Sequence, residues 1–156
     1  MSRRRTQKKR IIPADPLYKN VTVELFVRQI MREGKKNLAY KIFYKSLNLI
    51  YELTKKNPIF ILNKAVINAT PLVEIRASRV RGSILQLPQE VQSKRGTILA
   101  VHWILNACRK KSGKPMYFSI ANELISASKK AGNAVKKKEE VHRMAESNKA
   151  FAKRPF

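Results

Sequence analysis

Val73-Glu74-Ile75-Arg76-Ala77-Ser78-Arg79-Val80 alternates apolar and polar side chains with a period of two, and Ile84 to Val91 returns after the short link Arg81-Gly82-Ser83. Alternation on both sides of a turn predicts a β-hairpin over about residues 73–91. Pro88 cannot donate to a strand ladder, so the second strand must be an edge at that point. A two-stranded ribbon alone is only marginally stable in water. It therefore has to project from a larger body, with its Arg-bearing tip turned towards a partner.

The sequence on either side of the hairpin repeats at helical spacing. Asn20 reads as the N-cap of a helix through Glu33, with Val23, Phe26, Val27, Ile30 and Met31 on one face and Gly34 as a C′ stop. Asn37 opens a second helix, whose Ala39, Ile42, Phe43, Ser46, Ile50 and Leu53 face inward. Asn57-Pro58 opens a third by the N-cap and N1 rule; Leu62, Ala65, Val66 and Ala69 face inward, and it ends before Pro71. Further helices are expected near Arg95 to Lys111, from about Met116 to Lys130 and from about Ala134 to Ala152, punctuated by Gly113 and Gly132. Phe26, Phe43 and Trp103 sit on apolar stripes and read as core.

The fold expected is mainly α: a bundle of about six helices with a protruding two-stranded β-hairpin and a basic N-terminal arm. Residues 1–16 form the arm, because six of the eight residues Arg3 to Arg10 are basic and Pro13 and Pro16 forbid a helix. Residues 17–156 form one helical domain.

Charge narrows the function. Thirty-four Lys and Arg stand against ten Asp and Glu, a net charge of +24 in 156 residues. A compact chain with that excess repels itself unless a dense anionic partner neutralises it, and nucleic acid is the densest in a cell. The apolar fraction of 44% supplies a core, which a disordered basic tail would lack. No stretch resembles a membrane span or a secretory leader, so the chain is expected to be soluble and intracellular, with no membrane partner.

The inventory for catalysis is poor. The single Asp, Asp15, lies in the Pro-flanked leader. Glu139 and Glu140 are adjacent, so on a helix they point about 100° apart and cannot flank one substrate. His102 and His142 lack metal-ligand spacing, and His102, beside Trp103 in an apolar helix, reads as a core histidine. Cys108 has no neighbour that marks a nucleophile, and Gly34-Lys35-Lys36 lacks the rest of a phosphate-cradling loop. No enzyme, cofactor, metal or small-molecule substrate is expected.

The basic residues instead cluster at element boundaries: Lys35-Lys36, Lys94-Arg95, Arg109-Lys110-Lys111 with Lys114, and Lys136-Lys137-Lys138. Some of this charge only solvates a helix. Lys136 with Glu140 and Glu139 with Arg143 are i,i+4 partners, and cations at a helix C-terminus suit its dipole. Ten acids cannot balance the remainder, which is left for phosphates.

Three stretches carry a family resemblance. The first holds Phe26-Val27, Gly34-Lys35-Lys36, Ile42-Phe43 and Ser46; the second is the hairpin, with Val73-Glu74-Ile75, Arg79-Val80, Gly82-Ser83 and Val91. The third runs from Val135-Lys136-Lys137-Lys138-Glu139-Glu140 through His142-Arg143-Met144-Ala145 to Phe151-Ala152. In this order and separation they resemble ribosomal protein seven of the small subunit in its bacterial and plastid form, and His102-Trp103-Ile104-Leu105 looks like the same family.

The resemblance implies a primary binder of the 3′ major domain of small-subunit rRNA that nucleates assembly of the head. Its further partners are then neighbouring head and platform proteins, messenger RNA and the exit-site tRNA. Arm residues Arg3, Arg4, Arg5, Lys8, Lys9 and Arg10 become rRNA-facing candidates, as do Lys35, Lys36, Arg76, Lys94 and Arg95. Arg109, Lys110, Lys111, Lys114, Lys136, Lys137 and Lys138 complete that set. Arg79, Arg81, Gly82, Ser83, Arg143 and Lys149 are candidates for the exit-site side. The chain resembles plastid forms more than bacterial ones, so a plastid ribosome is expected, with a bacterial cytoplasm as the alternative. The rival reading is an architectural DNA-binding protein whose basic ribbon enters a minor groove. Against it, the link Arg81-Gly82-Ser83 carries no apolar wedge, and the clusters follow no single duplex-matching stripe.

Where the family usually has Gly-Gly at the ribbon tip, this chain has Arg81-Gly82, which adds a charge beside RNA. Replacing Arg81 with Ala should lower the salt slope of RNA binding by about one, as for any phosphate-contacting cation. An unchanged slope in a binding titration against salt would place Arg81 away from phosphate.

Overall fold

The computed structural model describes residues 12–80, 83–111 and 113–149. Six helices and one hairpin follow in the order α1 (Val21–Ile30), α2 (Lys36–Thr54), α3 (Pro58–Ala69), β1 (Val73–Val80), β2 (Ser83–Glu90), α4 (Ser93–Arg109), α5 (Met116–Ser128) and α6 (Asn133–Ser147). The mainly helical architecture with a ribbon is the one expected.

Helix starts follow local chemistry. The Asn20 side chain accepts from the Thr22 N–H at 2.7 Å, and Asn57 accepts from Ile59 at 2.9 Å with Pro58 in the first turn. Each satisfies a donor that an α-helix leaves open at its N-terminus. The end of α1 differs from expectation. The helix stops at Ile30, three residues short of Glu33, because Met31 is extended and Glu33 and Gly34 both take positive φ. Gly34 thus shapes the tight turn into α2 and does not terminate α1.

α5 lies at the centre and packs against α2, α3 and α4. Phe26 of α1 stacks on Phe43 of α2, both fully buried, with ring centroids 5.2 Å apart. Leu47 is fully buried, whereas Leu53, expected inward, is 57% exposed. On an ideal helix Leu47 lies about 40° from Phe43 but Leu53 about 80°, at the flank of the stripe. Trp103 is also not fully enclosed; it packs on the core's edge and is half-buried.

Asp15, assigned by sequence to the leader, is buried in the body. Its carboxylate accepts from the backbone of Leu17 at 3.1 Å and Tyr18 at 2.9 Å, and from the Tyr44 hydroxyl at 2.8 Å. Burial, with Asp15 beside it, pushes the Tyr44 phenol well above its ordinary value.

β1 and β2 pair antiparallel from Val73↔Glu90 to Val80↔Ser83. Ser83 is therefore a strand residue opposite Val80, not part of the link, and two residues join the strands. Pro88 faces Ile75 in a sheet with no third strand among the described residues. The ribbon's base is tied to the body by the Val91 N–H to Leu72 carbonyl bond at 3.0 Å and by packing of α6 against β1. Gly96 lets α4 close on that base: a Cβ there would lie 3.0 Å from the Thr70 methyl and 3.4 Å from the Pro71 carbonyl.

Gly132 precedes α6 with φ +97°, and a Cβ on it would stand 2.8 Å from Glu123 Oε1. Gly132→Ala should therefore lower stability by about 1–3 kcal/mol through backbone strain and the displaced carboxylate. Urea unfolding with a midpoint unchanged from the parent would refute this.

Candidate nucleic-acid interface

Two buried glutamates organise the basic clusters. Glu24, in the first turn of α1, is 1% exposed. Its carboxylate accepts from Lys36 Nζ at 2.8 Å, Arg28 Nε at 3.1 Å and the Tyr40 hydroxyl at 2.5 Å. Burial alone would raise its pKa, but the bonds from Lys36, Tyr40 and Arg28 outweigh it and hold the carboxyl below its ordinary value. The bond to Glu24 in turn raises the Lys36 ammonium.

Glu123 of α5 plays the same part at the other end. It is buried, accepts from Lys111 Nζ at 2.6 Å, and caps α6 by accepting from the Ala134 N–H at 3.1 Å.

Each cluster is thereby divided between inside and outside. Lys111 turns in to Glu123, and Arg109 donates to the Gln29 carbonyl at 2.7 Å, tying α4 to α1. Lys110 makes no ion pair among the described residues. Lys138 donates to the Asn68 carbonyl at 2.9 Å, while Lys136 makes no ion pair there. Lys36 turns in to Glu24, and Lys35 meets Glu33 at the exposed surface, 2.7 Å away. Arg95 pairs with Glu74 of the ribbon at 2.8 Å, leaving Lys94 outside any ion pair among the described residues.

Glu140 pairs with Lys137 at i,i+3, 2.8 Å away, and not with Lys136 as expected; the anticipated Glu139–Arg143 pair is not formed either. Spacings of three and four bring helix neighbours equally close, so spacing alone does not choose between them. Lys137 lowers the Glu140 carboxyl from its ordinary value.

Cations of the α4 and α6 clusters, some of them also engaged by protein groups, converge on one surface. A groove of about 580 Å³ between α4 and α6 is lined by Arg109 and Lys110 from one helix and Lys136 and Lys137 from the other. His102, Trp103 and Asn106 of α4 also line it. His102 is exposed, contrary to the core reading, and its Nε2 lies 2.9 Å from the Asn106 amide nitrogen. The apolar stripe runs through the adjacent Val101 and Leu105, leaving His102 on the outer face. The signal was in the sequence: His102, Asn106, Arg109 and Lys110 fall at i, i+4, i+7 and i+8, a polar stripe on one helix face.

A second hollow, of about 340 Å³, gathers Arg32, Arg109, Lys111 and Lys114 where the α1–α2 and α4–α5 turns meet. Lys114 lies over the Phe118 ring, 5.1 Å from its centroid. Arg32 was missed by sequence reading, being an isolated arginine in no cluster. Cys108 on the same wall is buried, and burial followed by Glu123 pushes its thiol up to about 12, which makes it inert.

On the ribbon, Arg76 and Arg79 are exposed and, three residues apart on an extended strand, belong to opposite faces. Arg143 and Lys149 are exposed along and just beyond α6. Arg3, Arg4, Arg5, Lys8, Lys9 and Arg10 of the arm, with Arg81 and Gly82 of the tip, lie outside the described residues.

Fold and surface together define a mainly helical, strongly basic protein with a ribbon arm. Its sequence matches the model of the family Ribosomal protein S7p/S5e over residues 2–149. It is 61% identical over 156 residues to small ribosomal subunit protein uS7c of Prototheca wickerhamii and 56% identical to the protein of that name in Chlorella vulgaris, with all of each chain covered. Small ribosomal subunit protein uS7 of Microcystis aeruginosa is 49% identical over 152 residues, 97% of each chain. The chain therefore belongs to the Ribosomal protein S7p/S5e family, a family of structural proteins of the small ribosomal subunit and not of enzymes.

The Glu24 network carries a pH signature. Its folded pKa lies below the unfolded value of 4.5, so its stabilisation is complete above 4.5 and is lost as pH falls through the folded value. Glu24→Gln should lower stability at pH 7 and flatten the acid limb of a stability–pH curve. An acid limb identical in both proteins would show that other carboxylates carry it.

Proposed function

We propose that the protein is a primary rRNA-binding component of the small subunit, holding the 3′ major domain and nucleating assembly of the head. The observation that carries this reading is the α4–α6 groove, where cations from two separate clusters meet on one surface while their neighbours anchor inside. A-form RNA hides its bases in a deep major groove, so recognition rests on phosphates, 2′-hydroxyls and junction shape. A rigid body that grips several RNA helices fixes their mutual angle, and that ordering is the physical content of nucleation. The arm Arg3 to Arg10 adds six further cations for RNA phosphates.

The exit-site assignment belongs to the same proposal. α6 packs against β1, so Arg79 on the ribbon and Arg143 and Lys149 towards the end of the last helix come from neighbouring elements. Arg81, Gly82 and Ser83 are assigned to the same partners, messenger RNA and the outgoing tRNA, and head and platform proteins are the remaining neighbours. The plastid ribosome is its place of work, as the chloroplast-type relatives indicate.

Binding to a 3′ major domain transcript, measured across a salt series against excess duplex DNA, tests this reading. Tight binding that survives the competitor is expected, and Lys110→Ala or Lys136→Ala should each lower the salt slope by about one. Equal affinity for DNA and RNA, collapsing together as salt rises, would overturn it in favour of an architectural DNA binder.

A further inference from the structure

The cations of the α4–α6 groove account for phosphate, but not for what lies among them. Trp103 is half-buried and is one of the residues that line the groove. Its ring N–H has no hydrogen-bond partner among the described residues. One residue before it on α4, exposed His102 is bonded to Asn106. When the Asn106 amide nitrogen donates to His102 Nε2, the imidazole carries its hydrogen at Nδ1. The pair then leaves two donors, His102 Nδ1–H and the second Asn106 amide N–H, and one acceptor, the Asn106 carbonyl oxygen, for whatever enters.

We propose that this groove seats an unpaired nucleotide of bound RNA, its phosphates against Lys110, Lys136 and Arg109 and its base against Trp103, read by the His102–Asn106 pair. The inference rests on the rRNA-binding reading and deepens it. A paired base cannot reach an aromatic surface in a groove, whereas single-stranded bases are splayed out, stacked on aromatic rings and read at their edges. An acidic peptide would need the cations alone; it gives no role to the indole and the donor–acceptor pair. Lys137 contributes less than the other cations because Glu140 already engages it.

The chain holds one tryptophan, so fluorescence reports on this groove alone. Filter retention of the 3′ major domain transcript and Trp103 emission should be read in the same samples. Retention with saturating quenching is expected, while polyphosphate and polyglutamate at matched charge leave the emission largely unchanged. Retention without quenching would overturn the groove inference and leave the rRNA-binding reading standing. Quenching by either base-free polyanion as strong as by RNA would also overturn it, in favour of a plain anion or acidic-protein surface. Loss of retention itself would bring down both.

Substitution gives an independent measure. Trp103→Leu should weaken RNA binding by roughly tenfold or more, as for other stacked bases. Because Trp103 also packs on the core, the surface pair His102→Ala/Asn106→Ala serves as the second variant. It should weaken binding several-fold with an unchanged salt slope, since neither side chain neutralises phosphate. Parental affinity in that double variant would count against base reading.

Discussion

A buried carboxylate in a strongly cationic chain has to be neutralised from within, and the arrangement of this fold depends on how that is done. Removing an ion from water carries a penalty of several kcal/mol, offset only where geometry and hydrogen bonds are good. Glu24 meets the condition with Lys36, Arg28 and Tyr40, and Glu123 with Lys111 and the first turn of α6. Both draw a lysine from a run that otherwise faces outward. One end of each run becomes part of the structure, and its neighbours are held at a defined place on the surface. Glu24 joins α1 to α2; Glu123 joins the end of α4 and the start of α6 to α5. Asp15 repeats the device with Tyr44, drawing the segment before α1 onto α2.

The distribution of acids sharpens the electrostatics. Three carboxylates of the ten in the chain, Asp15, Glu24 and Glu123, are buried. Surface cations are therefore opposed by fewer acids than composition suggests. Several of the acids left outside sit beside a cluster they trim, as Glu140 does at Lys137 and Glu74 at Arg95. Cations from separate elements meet in the groove between α4 and α6 and in the hollow beside Arg32 and Lys114. Such a surface attracts a polyanion at long range and is screened by salt, while the internal pairs, being dry on one side, are screened much less.

What was legible in the sequence was what adjacent residues decide. The period-two run from Val73 to Val80, the Asn57-Pro58 start and the stripe of α3 need only local geometry, and the structure reproduces them. Departures come where distant groups decide. The residues at Glu33 and Gly34 turn left-handed to bring Lys36 under Glu24, a contact between residues twelve apart that no helical period announces. Glu123 looked like any helical glutamate until the α4–α5 turn brought Lys111 to it. His102 was misread because Trp103 and the flanking aliphatics suggested an apolar helix, although its spacing to Asn106 and Lys110 marked a separate face. The basic clusters were visible as clusters, but which lysine of each turns inward is a property of the packed helices.

The same logic ties the groove to the ribbon. The Asn68 side chain on α3 donates to the carbonyls of Ala127 and Ser128 at the end of α5, at 2.9 and 3.1 Å, while its own backbone carbonyl receives Lys138 of α6. Four residues further along α6, the Leu72 N–H at the foot of β1 donates to His142 Nε2 at 3.2 Å. Burial, aided by Lys138, lowers the His142 pKa, which favours the neutral ring that can accept this bond. α3, α5, α6 and the foot of the hairpin are thus joined through side chains and backbone at one junction. Lys136 and Lys137, which form one wall of the groove, belong to the turn of α6 that carries Lys138. The groove wall on α6 is therefore held in a set orientation relative to the foot of the ribbon.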